Sequence, residues 1–326
     1  MTLTVSVAVE RWPVAGYFII SRGAKSHVDV VLCKVSDGTH IGTAEATPIY
    51  YEGESAESCA EEITRFVAKY PELDRAVLLQ NMPRGAARNA LDCALWDLEC
   101  RKRRMSLAHL AGLPEPLPLT SAFTISLGEP ETMEAQARQA SFSGQRLLKL
   151  KLSGKDDRER VAAVHRGAPD ARLIVDANES WNDLDIAAEA AQLAQYSVEL
   201  IEQPVSAGQD HLLSGVRSPV PLCADESCHT SADVERLAPF YDVVNIKLDK
   251  AGGLTEAIAM AHAAQAMGMK IMVGCMLSTS LGIRPAFALA QLAHWVDLDG
   301  PLLLAKDRVD AFQFEFGRIL PSESPS

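Results

Sequence analysis

Three short apolar runs in this chain each close on a carboxylate: Leu173 to Asp176, Val198 to Glu202, and Val220 to Asp225. The acids stand 26 and 23 residues apart, the interval of one strand, one helix and their connections. Lysines flank the trio at similar spacing, with Lys149 and Lys151 in Leu147-Leu-Lys-Leu-Lys-Leu before it and Lys247 in Val243-Val-Asn-Ile-Lys-Leu after it. Buried acids and amines at strand ends are unfavourable unless paired or bound to a cation, so their recurrence at one place calls for a functional cause. A single strand-end acid is more commonly a helix cap or a solvated loop group. Three on consecutive strands are not explained that way.

The rest of the chain supports a closed barrel. Strand-like runs near 119–125, 146–152, 172–176, 198–202, 220–224, 243–248, 270–273 and 294–297 alternate with helical periodicity, as in Asp156 to His165, Asp183 to Ala194 and Gly253 to Ala266. No Gly-rich dinucleotide loop follows any of these strands, and Gly252-Gly253 reads as a turn. The expected α/β fold is therefore a (β/α)8 barrel of the TIM type over residues 113–326. Before it, strand-like runs at Leu3 to Val9 and Val28 to Val35, a turn at Asp37-Gly38, a run to Ala46, and helices at Ser58 to Lys69 and Arg84 to Arg103 predict an α+β cap over residues 1–112. The second helix carries a broad apolar face suited to an inter-domain seam. The Pro-rich stretch from Leu113 to Pro118 marks the junction. A final stretch of about 20 residues is open to a return to the cap.

Charge narrows the partners. With 31 basic against 43 acidic residues, the net charge of −12 disfavours nucleic acid and anionic membranes, which leaves a small-molecule partner. The seven cysteines form an odd set without paired metal-ligand spacing, and they read as reduced core thiols of a cytoplasmic protein. Glu10, Arg11 and Pro13 interrupt any apolar leader, and no uncharged run is long enough to cross a bilayer. The sequence leaves homo-oligomerisation open.

In a barrel of this kind the functional groups gather at the C-terminal ends of the strands, where all the residues singled out fall. Lys149 and Lys151 are two apart and share a face, while Leu148, Leu150 and Leu152 face the helices. The lysine pair lies on the second strand, the acids on the third to fifth, and Lys247 on the sixth, opposite the second. Three hard oxygen ligands, Asp176, Glu202 and Asp225, with no nearby His or Cys of metal spacing, favour one Mg2+ over zinc. A substrate carboxylate on that ion would present one face to Lys151 and the other to Lys247. Loss of its α-proton would give an enediolate stabilised by the metal, and two-faced transfer would invert the centre. A base of this kind works best with a pKa near the working pH, and repulsion from Lys149 would push Lys151 down. Enolase-type sites with a Lys base and Mg2+ are an established instance of such tuning. Asn178 reads equally as a helix cap or a partner of the metal site. Asp297 and Asp299, two apart at the end of the eighth strand, suit a substrate ammonium group, and Arg22 on a cap loop could bind a substrate carboxylate.

These segments resemble the enolase superfamily, muconate-lactonising subgroup, and within it the L-Ala-D/L-Glu dipeptide epimerases. The similarity runs through Ser21-Arg-Gly, Asn89-Ala-Leu-Asp-Cys-Ala-Leu-Trp-Asp-Leu, Leu148-Lys-Leu-Lys, Val175-Asp-Ala-Asn-Glu-Ser-Trp, Ile201-Glu-Gln-Pro, Cys223-Ala-Asp-Glu-Ser, Asn245-Ile-Lys-Leu-Asp-Lys-Ala-Gly-Gly, Gly274-Cys-Met-Leu and Asp297-Leu-Asp-Gly-Pro. The resemblance implies that Asp176, Glu202 and Asp225 bind Mg2+, that Lys151 and Lys247 are the acid/base pair, and that Lys149 supports Lys151 and the substrate carboxylate. It further implies a dipeptide held at its ammonium by Asp297 and Asp299, at its backbone or carboxylate by Thr124, and at its glutamate side chain by Arg22. Cys275 and Met276 fall in the Gly274-Cys-Met-Leu segment and are expected to line the substrate pocket. Recycling of cell-wall peptides is the implied setting. Ser278 stands where some relatives carry an acid. Other dipeptides, N-acyl amino acids and muconate-type cycloisomerisation remain the alternatives, with a silent binding protein and a Schiff-base aldolase using Lys247 as rivals from other classes.

Overall fold

The computed structural model describes residues 3–20 and 23–321. The chain opens with an antiparallel sheet of β1 (Thr4–Ile20), β2 (Gly23–Ser36) and β3 (Ile41–Ala46), followed by α1 (Ala56–Lys69), α2 (Arg75–Asn81), α3 (Ala86–Arg103) and α4 (Leu107–Ala111). The expected first strand stops at Val9, but β1 runs on through Glu10, Arg11 and Pro13. It can do so because β1 is an edge strand, where a proline lacking an N–H is tolerated. Arg11 pairs with Asp29 of β2 at 2.7 and 2.8 Å, and a register shift between Pro13 and Phe18 takes up the irregularity. The long hairpin thereby reaches over the barrel. Pro13 O accepts from Ala305 N at 2.8 Å and Ile19 O from Leu127 N at 3.0 Å.

The second sheet is the barrel. Its strands are β5 (Phe123–Ile125), β6 (Leu147–Lys151), β7 (Arg172–Asp176), β8 (Val198–Glu202), β9 (Leu222–Ala224), β10 (Val243–Ile246), β11 (Lys270–Gly274) and β12 (Trp295–Asp297), each hydrogen-bonded to the next and all parallel. The ring is joined where Ala122 N donates to Val296 O at 2.7 Å. Helices α5 (Pro130–Phe142), α6 (Asp157–Gly167), α7 (Ile186–Leu193), α8 (Ser231–Leu237), α9 (Leu248–Ala251), α10 (Leu254–Ala266) and α11 (Ser280–Leu289) complete it. Leu148, Leu150 and Leu152 join the outer core with Met133 and Val161, so the lysines of β6 point inward as their alternation requires.

The first barrel strand is shorter than expected. Leu119–Thr120 forms a separate strand, β4, which pairs with the C-terminal hairpin of β13 (Phe314–Glu315) and β14 (Arg318–Ile319). Among the described residues the tail meets the cap where Arg308 pairs with Glu10 at 2.7 Å and Glu45 at 2.5 Å, and its hairpin pairs with β4 ahead of the barrel.

The seam between α3 and the barrel is polar as well as apolar. Arg88 donates to Ala251 O (2.6 Å) and Gly252 O (3.0 Å), Asn89 to Asp249 (2.8 Å) and Trp96 to Thr255 (2.9 Å), while Asp92 accepts from Thr255 N (2.9 Å) and Oγ1 (2.6 Å). Gly252-Gly253 is a turn, and it is also the seat of these groups. Both glycines have positive φ, and a Cβ would lie 2.4 Å from Arg88 Nε at the first and 2.4 Å from Asp92 Oδ2 at the second. Replacing Asp92 with Ala would strand two donors of Thr255 in a buried seam. The expected loss is about 2–3 kcal/mol, read as a lower Tm in thermal unfolding; an unchanged Tm would show that the seam does not depend on this carboxylate.

Candidate active site

Eight buried residues, one from each barrel strand or the residue before it, form an apolar plug: Ala122, Leu147, Ile174, Leu200, Cys223, Val243, Met272 and Trp295. Two residues further along each strand, the inward positions are Thr124, Lys149, Asp176, Glu202, Asp225, Asn245, Gly274 and Asp297. The barrel therefore changes from hydrocarbon to charge within one step of the pleat. Register confirms the ring locally, with Thr124 opposite Lys149 and Gly274 opposite Asp297. Lys151, Asp176 and Glu202 lie side by side on three adjacent strands. Gly274 is required by the crowding, since a Cβ there would sit 2.8 Å from the Asn245 amide oxygen and 3.0 Å from Lys247 Cε.

The charges are interlocked. Lys149 Nζ lies 2.7 Å from Glu202 Oε2, 2.8 Å from Asp297 Oδ2 and 3.3 Å from Asp176 Oδ2. Lys151 Nζ donates to Asp176 Oδ2 at 2.6 Å, and Lys247 Nζ to Asp225 Oδ2 at 2.6 Å. β10 ends one residue before Lys247, which keeps extended backbone (φ −118°, ψ 123°) as the cap of α9 and continues the inward face of Asn245. Asn245 donates to Glu202 Oε1 at 2.8 Å. Lys250, one turn beyond Lys247, is also buried and donates to the backbone carbonyl and Oδ1 of Asp225 and to Cys228 O. Lys250 was not singled out from the sequence, although its place three residues after Lys247 in Lys-Leu-Asp-Lys is the helical spacing that puts both amines on one side.

Burial and pairing pull these groups in different directions. Burial alone would raise Asp176, but Lys151 and Lys149 outweigh it and hold it at about 2. Asp225 is likewise held well below the carboxylate range by Lys247 and Lys250 against its burial. Glu202 is instead pushed up to about 7 by burial and by its neighbour Asp176. Burial lowers Lys149 and Lys247, yet the facing acids, Asp297 and Asp225 foremost, keep both well above the ordinary lysine value. For Lys247 this runs against the expectation of a base brought down towards the working pH. Lys151, expected to respond to repulsion from Lys149, has a carboxylate at hydrogen-bond distance. Among the described residues no three acidic, imidazole or thiol groups form a ready-made coordination cage, the acids' oxygens being turned towards the amines.

Above the charged ring, two connected lobes open beneath the cap. Phe18, Lys151, Lys247, Cys275, Met276 and Leu277 line both. One lobe extends to Thr124, Lys149, Asp297 and Asp299, the other to Lys25, Thr47, Tyr50 and Asn178. Asp299 Oδ2 accepts from Thr124 N at 2.6 Å, and burial followed by Asp297 raises Asp299 to about 7. Asp297 Oδ1 is buried and has no hydrogen-bond partner among the described residues. Asn178 donates to Glu226 at 3.4 Å and its backbone N–H to Asp176 at 3.0 Å, so it belongs to the site and caps no helix. Arg22 lies outside the described residues.

Residues 2–112 match the model of the mandelate racemase/muconate lactonizing enzyme N-terminal domain, and residues 132–325 that of the enolase C-terminal domain-like family. This chain belongs to the enolase superfamily. It is 44% identical to the L-Ala-D/L-Glu epimerase of Escherichia coli K12 over 97% of this chain and 99% of that protein. Among solved members of the superfamily, an Agrobacterium tumefaciens protein with homology to dipeptide epimerases, with bound sodium and L-Ala-L-Glu, superposes with a TM-score of 0.94 at 45% identity over 98% of each chain. A dipeptide epimerase from Enterococcus faecalis, complexed with Mg and L-Leu-L-Tyr, gives 0.92 at 27% identity, covering 100% of this chain and 98% of that one. The chain is an isomerase of the racemase and epimerase kind within the superfamily.

Lys149 faces three of the site's acids at once. Lys149→Met removes the counter-charge shared by Glu202, Asp297 and Asp176, and breaking such buried pairs costs about 3–5 kcal/mol. A fall in Tm of the EDTA-treated protein is expected; an unchanged value would show that the three acids need no common amine.

Proposed function

We propose that the protein is a Mg2+-dependent epimerase interconverting L-Ala-L-Glu and L-Ala-D-Glu by proton transfer between two lysines. The observation that carries this reading is that Lys151 and Lys247, from the second and sixth of eight strands, line one cavity. A reacting carbon held between them is reached from both faces, and removal on one face with delivery on the other inverts it.

Asp176, Glu202 and Asp225 are the residues that would hold the cation, one per subunit. They fit it because they are three hard oxygen donors with little access to water, brought together from adjacent strands β7, β8 and β9. When bound, such an ion supplies Lewis-acid stabilisation of the charge that develops on the substrate carboxylate. The unpartnered Asp297 Oδ1, with Asp299 beside it, suits the substrate ammonium, and Thr124 the peptide backbone. Cys275 and Met276 form pocket wall, and Arg22 is assigned to the glutamate side chain. No helix of the described residues is long and apolar enough to cross a membrane. We place the protein in the cytoplasm, in the recycling of cell-wall peptides, with residues 1–112 as cap and 113–326 as barrel.

The test is incubation with Mg2+ and L-Ala-L-Glu in D2O, following the Glu α-proton by NMR beside a panel of other dipeptides. Appearance of the L,D isomer with solvent deuterium at that carbon is expected, foremost with acidic dipeptides. No exchange with any dipeptide would overturn the reading. Mg2+ should also raise Tm in the absence of substrate and EDTA should reverse the shift, because a ligand bound by the folded state alone stabilises it; no shift at millimolar Mg2+ would remove the three acids from that role.

A further inference from the structure

The acids of the site stand where the barrel's hydrogen-bond ladder ends. Glu202 is the last residue of β8 and pairs with Cys223, whereas Asp225 lies one residue beyond the end of β9. Its backbone N–H donates to a side chain, the carboxamide oxygen of Gln203, at 2.8 Å, and Ser227 N donates to the same oxygen at 3.1 Å. A carboxamide thus does for Asp225 what a strand carbonyl does for residues within the sheet. The main chain of Gln203 reaches both neighbours: its N–H donates to Cys223 O at 2.8 Å, and its carbonyl accepts from Glu179 N, three residues after Asp176, at 2.9 Å. Gln203 therefore ties together the segments that carry all three acids. It does so with φ +37°, a left-handed conformation that is uncommon for a residue with a side chain and is retained where surrounding contacts enforce it.

The carboxamide is oriented from behind. Its nitrogen donates to Val205 O at 2.7 Å, Ser227 Oγ at 3.0 Å and Tyr241 Oη at 3.1 Å. Both hydroxyls give their hydrogens to Asp210 Oδ1, at 2.5 and 2.9 Å, so towards Gln203 they can only accept. Asp210 is held in turn by Arg236 at 3.1 Å, and Gln203, Asp210, Ser227 and Tyr241 are all buried. A carboxylate at position 203 could not donate to these oxygens, and an apolar side chain would leave the N–H groups of Asp225 and Ser227 without this acceptor. We propose that Gln203, aligned by Asp210 through Ser227 and Tyr241, is a positioning residue that fixes Glu202 and Asp225 relative to each other and thereby sets the affinity of the protein for Mg2+. This rests on the assignment of Asp176, Glu202 and Asp225 to the cation made above.

The test is calorimetric titration of Mg2+ alone into protein stripped with EDTA and dialysed, with far-UV circular dichroism and Tm to establish folding. Gln203→Leu is expected to raise the dissociation constant about 10- to 100-fold, the range for loss of an outer partner of a metal ligand. Tyr241→Phe, which removes one hydroxyl and leaves the carboxamide in place, is expected to raise it by a smaller factor, up to about tenfold. The seam variant Asp92→Ala controls for destabilisation alone and is expected to bind Mg2+ as the unmodified protein does. An unchanged constant in folded Gln203→Leu, or in Tyr241→Phe should the leucine variant not fold, overturns the role of Gln203 and leaves the three acids as ligands. A rise in Asp92→Ala as large as that in Gln203→Leu overturns it as well, because the effect then follows from stability. Absence of Mg2+ binding by the unmodified protein overturns both this role and the assignment of the three acids.

Discussion

The ammonium of Lys149 between Glu202, Asp297 and Asp176 is the contact on which the rest of the site depends. Below it the barrel is filled by hydrocarbon, and at its own level seven of the eight inward positions are polar or charged, the eighth being Gly274. Carboxylates so far from water would raise one another's pKa, as Asp176 does to Glu202, unless positive charge is interleaved with them. Lys149, Lys151, Lys247 and Lys250 provide it, each within ion-pair distance of at least one acid. Such an array contributes little net stability compared with a hydrophobic core, and its removal in part is more harmful than its removal as a whole. It persists because the acids and amines have work to do together.

A single helical turn joins this array to the cap. Lys247 caps α9, Lys250 within it grips Asp225, and between them Asp249 accepts from Thr47 N at 2.9 Å and from Asn89 at 2.8 Å. Thr47 and the β1–β2 hairpin are also walls of the cavity. Docking of the cap and placement of Lys247 are thus fixed by the same stretch, Lys247 to Lys250. The cap contributes walls of the cavity and the barrel its buried charges, a division expected where loops over a rigid scaffold vary the ligand and strand ends hold the chemistry.

Much of this was legible in the chain because the barrel's periodicity is strict. Acids closing successive apolar runs located β7, β8 and β9, and the alternation of Leu148 to Leu152 assigned the faces of β6 correctly. What was not legible depended on partners distant in sequence. Pro13 reads as a strand breaker until β1 is seen to be an edge. Leu119–Thr120 reads as the start of the first barrel strand until β14 is seen to claim it. The polar seam of α3 is hidden because Arg88, Asn89 and Asp92 acquire meaning only against Asp249, Gly252, Gly253 and Thr255, 160 or more residues away.

The central claim is that two lysines address opposite faces of one carbon, and single-lysine variants test it most directly. With Mg2+ in D2O, Lys151→Ala and Lys247→Ala should each abolish interconversion of L-Ala-L-Glu and L-Ala-D-Glu. Each should retain α-proton exchange from one diastereomer, and the two variants should differ in which. Full interconversion by either variant, or exchange of the same diastereomer by both, would contradict the account.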